Sequence, residues 1–391
     1  MKILYIHQHY QQNKGGTRSY ELSKHFINQG AEVTMITGQG DSGQTKEGIQ
    51  IKTTATKYEQ KMSKNRRILA FLHFLCVSLW LGLREKNVDT IYATSTPLTV
   101  GIIGLVLSKI KRKPFIFEVR DVWPDIPIAL GYIQNKYIIK YVQRLERKIY
   151  KHAAHIVVLS SGMKANLIQK GVPEEKVTIA ENLANTNLVN QIIPEKPLLP
   201  FNPANTFTVV HPGTMGPVNG LEYLIEAAEH LQGRNITFLL IGEGSEKNKL
   251  QQEIKTRNLT NIHILGELPK ADIINIMKNC DLGAMNVKDV PILWDNSANK
   301  FFDFLAVGLP IILNYPGWQK TLIQEYGAGK GFYYKDIEAY CAYITYLAND
   351  AKALAKAKKA SRKLSKQFDT DKIATKIWNI IITSTNEKRR A

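Results

Sequence analysis

Short apolar runs alternate with amphipathic stretches along most of the chain. Residues 2–7, 32–37, 90–93, 115–119 and 155–159 are strand-like, and residues 17–29 between the first two carry helical periodicity. Runs this short, set between helical stretches, predict strands of parallel sheets covered on both faces. After a proline-rich stretch at 193–203 the alternation restarts, with strand-like runs at 206–211, 237–241, 262–265, 282–285 and 311–313 and a predicted helix at 221–231. Two such series with a break between them predict two doubly wound domains. The expected division is 1–187, a linker at 188–205, and 206–366, with a helix at about 367–391 packing back on the first domain.

Two segments stand out from the alternation. Residues 68–83 form sixteen positions without a charge, directly after Arg66 and Arg67. A spanning helix needs about 20 apolar residues, so this one reads as too short to cross a membrane. Burial against a sheet and a helix lying in a membrane interface, with Arg66, Arg67 and Trp80 at headgroup level, both remain open. Residues 295–310 combine a polar loop with a helix closed by Gly308-Leu309-Pro310. If the helix starts at Ser297, Asp303 faces inward below a loop carrying Asp295 and Lys300. Amides at the helix start and the Lys300 ammonium can hold phosphate, while the carboxylates can accept hydrogen bonds from sugar hydroxyls. A nucleotide sugar meets both conditions.

Composition bounds this picture. The 391 residues are 44% hydrophobic and 22% charged, which suits a folded chain of about two domains. Cys76, Cys280 and Cys341 lie far apart, which argues against a disulfide framework or structural zinc and points to a reducing cytoplasm. The first residues read as a β-strand and not as a secretory segment. Charge adds something new: 52 Lys and Arg against 34 Asp and Glu give +18, concentrated at 57–67, 109–113, 136–151 and 352–366. Such clusters favour an anionic surface or substrate, against the plainer reading that they only keep helix faces solvated.

In open parallel sheets ligands bind beyond the carboxyl ends of strands. Three loops fall there: Gly15-Gly16-Thr17-Arg18, the stretch from Gly213-Thr214-Met215-Gly216 to Gly220, and Gly242-Glu243-Gly244. Glycines at these places let the backbone approach a ligand closely.

These loops, together with Pro114-Phe-Ile-Phe-Glu-Val-Arg-Asp-Val-Trp-Pro124, residues 154–163, the turn at 171–177 with Glu181-Asn182, and residues 295–310, resemble glycosyltransferase family 4 over nearly the whole chain. Arg120-Asp-Val-Trp-Pro-Asp-Ile-Pro127 and Ser297-Ala-Asn-Lys-Phe-Phe-Asp303 look most like the bacterial surface-polysaccharide transferases of the fucosamine type. The resemblance implies an α/β protein of GT-B fold, two doubly wound Rossmann-like domains facing a cleft. It implies a retaining transfer of an N-acetylated sugar, deoxy or not, from UDP to a polyprenyl-diphosphate-linked acceptor in capsule or O-antigen synthesis. The protein would be cytoplasmic and peripheral on the inner face of the cell membrane, bound to anionic lipid, with no nucleic-acid partner and no metal.

The resemblance also implies residue roles. Asp295 and Asp303 stand where the family has two glutamates eight apart, the first meeting the donor sugar and the second the ribose hydroxyls. Thr214 and Asn219 replace a common Arg and Lys, which leaves the diphosphate to Lys300, Asn299 and the amides beside them, with Met215, Gly242 and the first loop (Gly15, Gly16, Thr17, Arg18) completing the donor site. The segment Gly266-Glu-Leu268-Pro269 matches the one whose backbone reads the base and suggests uracil. Arg120-Asp121 stands where many members have His-Asp, with Glu118 two residues before. Asp121 or Glu118 would lie near the acceptor hydroxyl, or Arg120 and Asp121 would only pair and brace the loop. Two alternatives stay open: a non-hydrolysing UDP-sugar epimerase of the same architecture, and a basic nucleic-acid-binding protein, although no aromatics interleave with the basic runs in a reading pattern.

Overall fold

The computed structural model describes residues 1–10, 18–56, 62, 64–95 and 97–390. The chain divides into two compact units, Met1–Glu181 with Thr370–Ala391, and Asn182–Asp369.

The first unit runs β1 (Lys2–His7), α1 (Arg18–Asn28), β2 (Glu32–Thr37), β3 (Gly43–Gln44), β4 (Gln50–Thr53), α2 (Lys64–Arg84), β5 (Thr90–Thr94), α3 (Thr99–Lys111), β6 (Phe115–Val119), α4 (Asp125–Ala129), α5 (Lys136–His152), β7 (His155–Val158), α6 (Ser161–Gln169) and β8 (Val177–Ile179). Its sheet has the order β3-β4-β2-β1-β5-β6-β7-β8, parallel except for the β3–β4 pair. The order reverses between β1 and β5, which makes their carboxyl ends the natural ligand crevice of this unit. Helices lie close to the strands because small residues face them: a Cβ on Gly104 would sit 2.2 Å from the Phe115 ring.

The second unit contains α7 (Thr186–Gln191), β9 (Phe207–Pro212), α8 (Glu222–His230), β10 (Ile236–Ile241), α9 (Lys247–Thr256), β11 (Ile262–Leu265), α10 (Lys270–Lys278), β12 (Leu282–Met285), α11 (Asn299–Val307), β13 (Ile311–Leu313), α12 (Trp318–Tyr326), β14 (Gly329–Gly331), α13 (Ile337–Asn349) and α14 (Ala351–Ser365). The last helix, α15 (Thr370–Arg390), belongs to the first unit. All strands of the second sheet are parallel, in the order β11-β10-β9-β12-β13-β14, and the reversal falls between β9 and β12.

The proline-rich segment differs from its expected role as a linker. Residues 188–205 belong to the second unit: α7 packs on α11, and the Lys278 ammonium donates to the carbonyls of Val189, at 2.7 Å, and Ile192. A chain held by such bonds is part of the fold. Helix α2 is also longer than the uncharged run, because residues 64–67 join it. Its 21 residues are long and apolar enough to cross a membrane by length and composition. Yet Ala70, Phe74, Ser78 and Gly82 form a buried stripe at four-residue spacing, α2 packs along α3, and a Cβ on Gly82 would lie 2.5 Å from Leu107 Cδ1. The helix therefore lies on the unit along one face.

Candidate donor and acceptor sites

The reversal point of the second sheet gathers the chemistry of the 295–310 segment. Helix α11 starts at Asn299, two residues later than expected, without a side-chain cap, and ends at Gly308 in the left-handed conformation. Its first turn places Lys300 against the end of β9, where Lys300 Nζ lies 2.8 Å from His211 Nε2. The other imidazole nitrogen, Nδ1, is 2.9 Å from the Ala284 carbonyl on β12. A carbonyl only accepts, so Nδ1 carries the proton and Nε2 accepts from the lysine. Lys300 is partly exposed along its length, but burial of its ammonium lowers its pKa to about 7. Burial and the nearby Lys300 charge together keep His211 well below the usual imidazole range.

The glycine loops form the floor of this site. Gly213 donates to the Ile241 carbonyl (2.8 Å), Met215 to Glu243 (2.8 Å) and Gly242 to Leu265 (3.1 Å), so the loops after β9 and β10 extend the ladder beyond the strand ends. Gly242 adopts φ +145°, and a Cβ there would stand 2.0 Å from the Gly213 carbonyl oxygen. Only glycine fits. A Cβ on Gly213 would come 3.2 Å from Lys300 Nζ, which places the backbone directly beside the ammonium. Met215 corrects its expected role: its side chain is fully buried in the core and its N–H and C=O both bind the neighbouring loop, so it scaffolds the site. Thr214 is exposed, and its carbonyl accepts from Asn219 at 2.7 Å.

Asp303 lies one turn after Lys300 and forms an ion pair with Lys270 at the start of α10, just after the Gly266–Pro269 stretch that includes the half-buried Leu268. Asp295 ends a short 3-10 turn, Pro291–Asp295, and burial raises its carboxyl pKa. The loop between them is braced: Asn182 donates to the Ser297 carbonyl, Trp318 Nε1 to the Asn296 carbonyl at 3.0 Å, and Ala298 N to Asn296 Oδ1 at 3.3 Å. Among the described residues the buried Ser297 hydroxyl has no partner, which leaves hydrogen-bonding capacity close to Asp295 in the chain. His211 and Lys270 were not singled out from sequence. Their signal was positional, a histidine near the end of the first strand of the second half and a lysine following the Gly266–Pro269 stretch.

In the first unit Gly15, Gly16 and Thr17 lie outside the described residues. Arg18 and Glu118 are corrected. Both are buried, and Arg18 Nε binds Glu118 Oε1 at 2.5 Å while its Nη groups donate to the carbonyls of Glu181 and, at 2.8 Å, Ala180. The other Glu118 oxygen accepts from Tyr92 (2.7 Å) and Thr94 (3.3 Å). Every polar atom of this pair is committed within the fold, so it joins α1, β5, β6 and the end of the sheet instead of meeting ligand. The open crevice at β1 and β5 holds other groups. Arg120 donates its backbone N–H to Ser95 Oγ (3.0 Å), and burial together with the Arg120 charge keeps His7 well below its usual range and brings His9 to about 4. Arg120 is then the fixed positive charge among neutral imidazoles, with Asp121 exposed beside it.

Two family models match this chain: Glycosyltransferase Family 4 over residues 15–188 and Glycosyl transferases group 1 over residues 200–364. The chain is a family 4 glycosyltransferase. The transferase is 23% identical over 287 residues to the putative colanic acid biosynthesis glycosyl transferase WcaI of Escherichia coli K12, spanning 67% of this chain and 70% of that protein. Its GT-B fold is that of Anabaena HepE, solved in complex with UDP-glucose (TM-score 0.72, 19% identity, 98% of this chain and 100% of that one). It is also that of WaaG, a glycosyltransferase involved in lipopolysaccharide biosynthesis (TM-score 0.68, 12% identity, 97% and 99%).

Proposed function

We propose that this transferase moves an N-acetylated sugar, deoxy or not, from UDP to a polyprenyl-diphosphate-linked acceptor, with retention of anomeric configuration, in the synthesis of a surface polysaccharide such as capsule or O-antigen. The observation that carries the donor half is Lys300: a desolvated ammonium at the uncapped start of α11, beside the Gly213 backbone and one turn before a carboxylate. A diphosphate supplies the negative charge this position has none of. UDP is favoured because HepE is solved with UDP-glucose and because residues 266–269 resemble the family segment whose backbone reads the base.

The chemistry is positioning and charge stabilisation. As the glycosidic bond breaks, negative charge gathers on the diphosphate, and Lys300 with the amides of α11 stabilises it. The departing phosphate oxygen takes the acceptor proton on the same face, which removes the need for a strong enzymic nucleophile. Asp295 and Ser297 accept and donate to sugar hydroxyls, and Asp303 shares its carboxylate between Lys270 and the ribose. In the first unit Arg120 attracts the acceptor diphosphate, with Asp121 near the acceptor hydroxyl.

The surface of the first unit supports such an acceptor. On α2 the residues Ile68, Leu69, Leu72, Cys76, Trp80 and Leu83 are exposed on the side away from the buried stripe, with Arg66, Arg67 and Arg84 at its ends. Helix α5 exposes Tyr137, Ile138 and Tyr141 among Lys136, Lys140 and Arg144. Apolar side chains ringed by cations fit the interface of an anionic membrane, where a polyprenyl acceptor resides. The test is UDP release from a panel of UDP-sugars. Release that requires added membranes bearing the lipid acceptor supports a transferase of this kind. Turnover of UDP-sugar alone into an epimer would overturn it.

A further inference from the structure

We infer that His211 is a positioning residue for the donor site, and that capture of a nucleotide sugar there is coupled to the uptake of one proton by the His211–Lys300 pair. This rests on the reading that Lys300 meets the donor diphosphate.

The geometry fixes the direction of each hydrogen bond. The Ala284 carbonyl locks the imidazole with its proton on Nδ1, so Nε2 offers only a lone pair, 2.8 Å from Lys300 Nζ. A protonated imidazole would place a second N–H against the ammonium, so the histidine stays neutral whenever Lys300 is charged. Lys300 thus has an acceptor that orients it and no anion that keeps it charged. Among the described residues it forms no ion pair. The only titratable group facing it from β9 is His211; on its own helix Asp303 is paired with Lys270 of α10, and β12 offers a carbonyl. Arg362 of α14 lies at the far end of α11, beside Gly308. Without ligand the ammonium loses its proton at about pH 7, burial being the cause. A diphosphate arriving beside it restores the charged form. The proton comes from solvent and ends on Nζ.

Linkage then sets the pH profile. Below about pH 7 Lys300 is already charged and affinity is flat. Above it each bound donor must bring a proton, and affinity falls about tenfold per pH unit until the bound-state pKa is passed.

The test is titration calorimetry of the full chain with UDP-glucose and GDP-mannose from pH 6 to 9, in buffers of different ionisation enthalpy, with uridine as control. The diphosphate of a nucleotide sugar does not titrate in this range and its base does so only at the upper end, so a proton taken up at pH 8 belongs to the protein. The expected result is an uptake approaching one proton per bound UDP-glucose at pH 8, near zero at pH 6, and none for uridine. Lys300→Arg, which cannot deprotonate, should bind with no proton uptake and no pH dependence. His211→Phe should weaken binding tenfold or more at pH 6.5, and His211→Gln, which can both donate to Ala284 and accept from Lys300, should restore most of the loss. Donor binding with no proton uptake at pH 8, or equal affinity of His211→Phe and the wild type, would overturn the inference. Failure of both nucleotide sugars to bind at any pH would instead remove the donor reading on which it stands.

Discussion

Arg18 and Lys300 both follow the first strand of a doubly wound sheet or face its end, yet burial treats them differently. Arg18 has a carboxylate and two carbonyls within reach and stays charged; among the described residues Lys300 has only a neutral imidazole and is pushed toward deprotonation. Removing one partner of the Arg18–Glu118 pair leaves a buried charge uncompensated, so Arg18→Met should cost about 3–5 kcal/mol. A urea unfolding series checks this, and an unchanged midpoint would contradict it. Lys300 gives a prediction of opposite sign. Its folded pKa lies below the unfolded value, so the unfolded chain binds more protons between about pH 7 and 10 and stability rises with pH across that window. Lys300→Met abolishes this slope and should stabilise the apo protein relative to wild type at pH 6, with the gain shrinking toward pH 10. At this scale the sequence was half legible. The spacing of Asp295, Lys300 and Asp303 marked them, but a polar residue after a strand looks the same whether it faces ligand or, like Arg18, turns back into the core. Only the contacts of Glu118, Tyr92 and Thr94 decide that.

At the scale of elements, α2 and α11 each carry a packed face and, on the proposed function, a functional one. The uncharged run at 68–83 was visible in the sequence as a helix, but its orientation was not, because a helix apolar on all sides carries no moment to say which stripe packs. The buried stripe Ala70, Phe74, Ser78 and Gly82 chose it, with Gly82 allowing α3 to approach. The outward stripe leads to a prediction by flotation on vesicles containing anionic phosphatidylglycerol. The wild type should float at low salt and lose binding as salt screens Arg66, Arg67 and Arg84, while a Leu72→Glu/Trp80→Glu double variant should stay in the load fraction at every salt. A double variant that floats like the wild type would show that α2 is not the contact. For α11 the helix boundary set by Gly308 was legible, whereas its pairing with β9 was not, since nothing local to residues 295–310 announces His211. The floor beneath it depends on Gly242, and Gly242→Ala should abolish nucleotide binding because its methyl meets the Gly213 carbonyl.

For the whole molecule, two parallel sheets with their reversal points at β1/β5 and β9/β12 account for where the chemistry gathers. The repeated alternation of strand and helix made this architecture readable. The boundaries were less so, since proline-rich composition marks irregular chain and not freedom of movement, and residues 188–205 are tied down by Lys278. The chain end carries structure as well: Ile373, Ala374, Ile377 and Ile381 of α15 are buried, and Trp378 stacks on Phe26 of α1 at 5.8 Å. Truncation after Asp369 should therefore unfold the first unit first, seen by hydrogen exchange as loss of protection in β1 and β2 before β9 and β10. The proposed function stands first on the second unit holding a uridine diphosphate sugar through Lys300. Its most direct test is a thermal-shift titration of the wild type and Lys300→Met with UDP-glucose, UDP-N-acetylglucosamine and GDP-mannose. A ligand at a hundred times its dissociation constant stabilises the folded state by about 2.7 kcal/mol. The UDP-sugars should raise the wild-type Tm by about 5–10 °C, GDP-mannose should not, and Lys300→Met should respond to none of them. Stabilisation by GDP-mannose alone, or an equal response of Lys300→Met and wild type to the UDP-sugars, would contradict the claim.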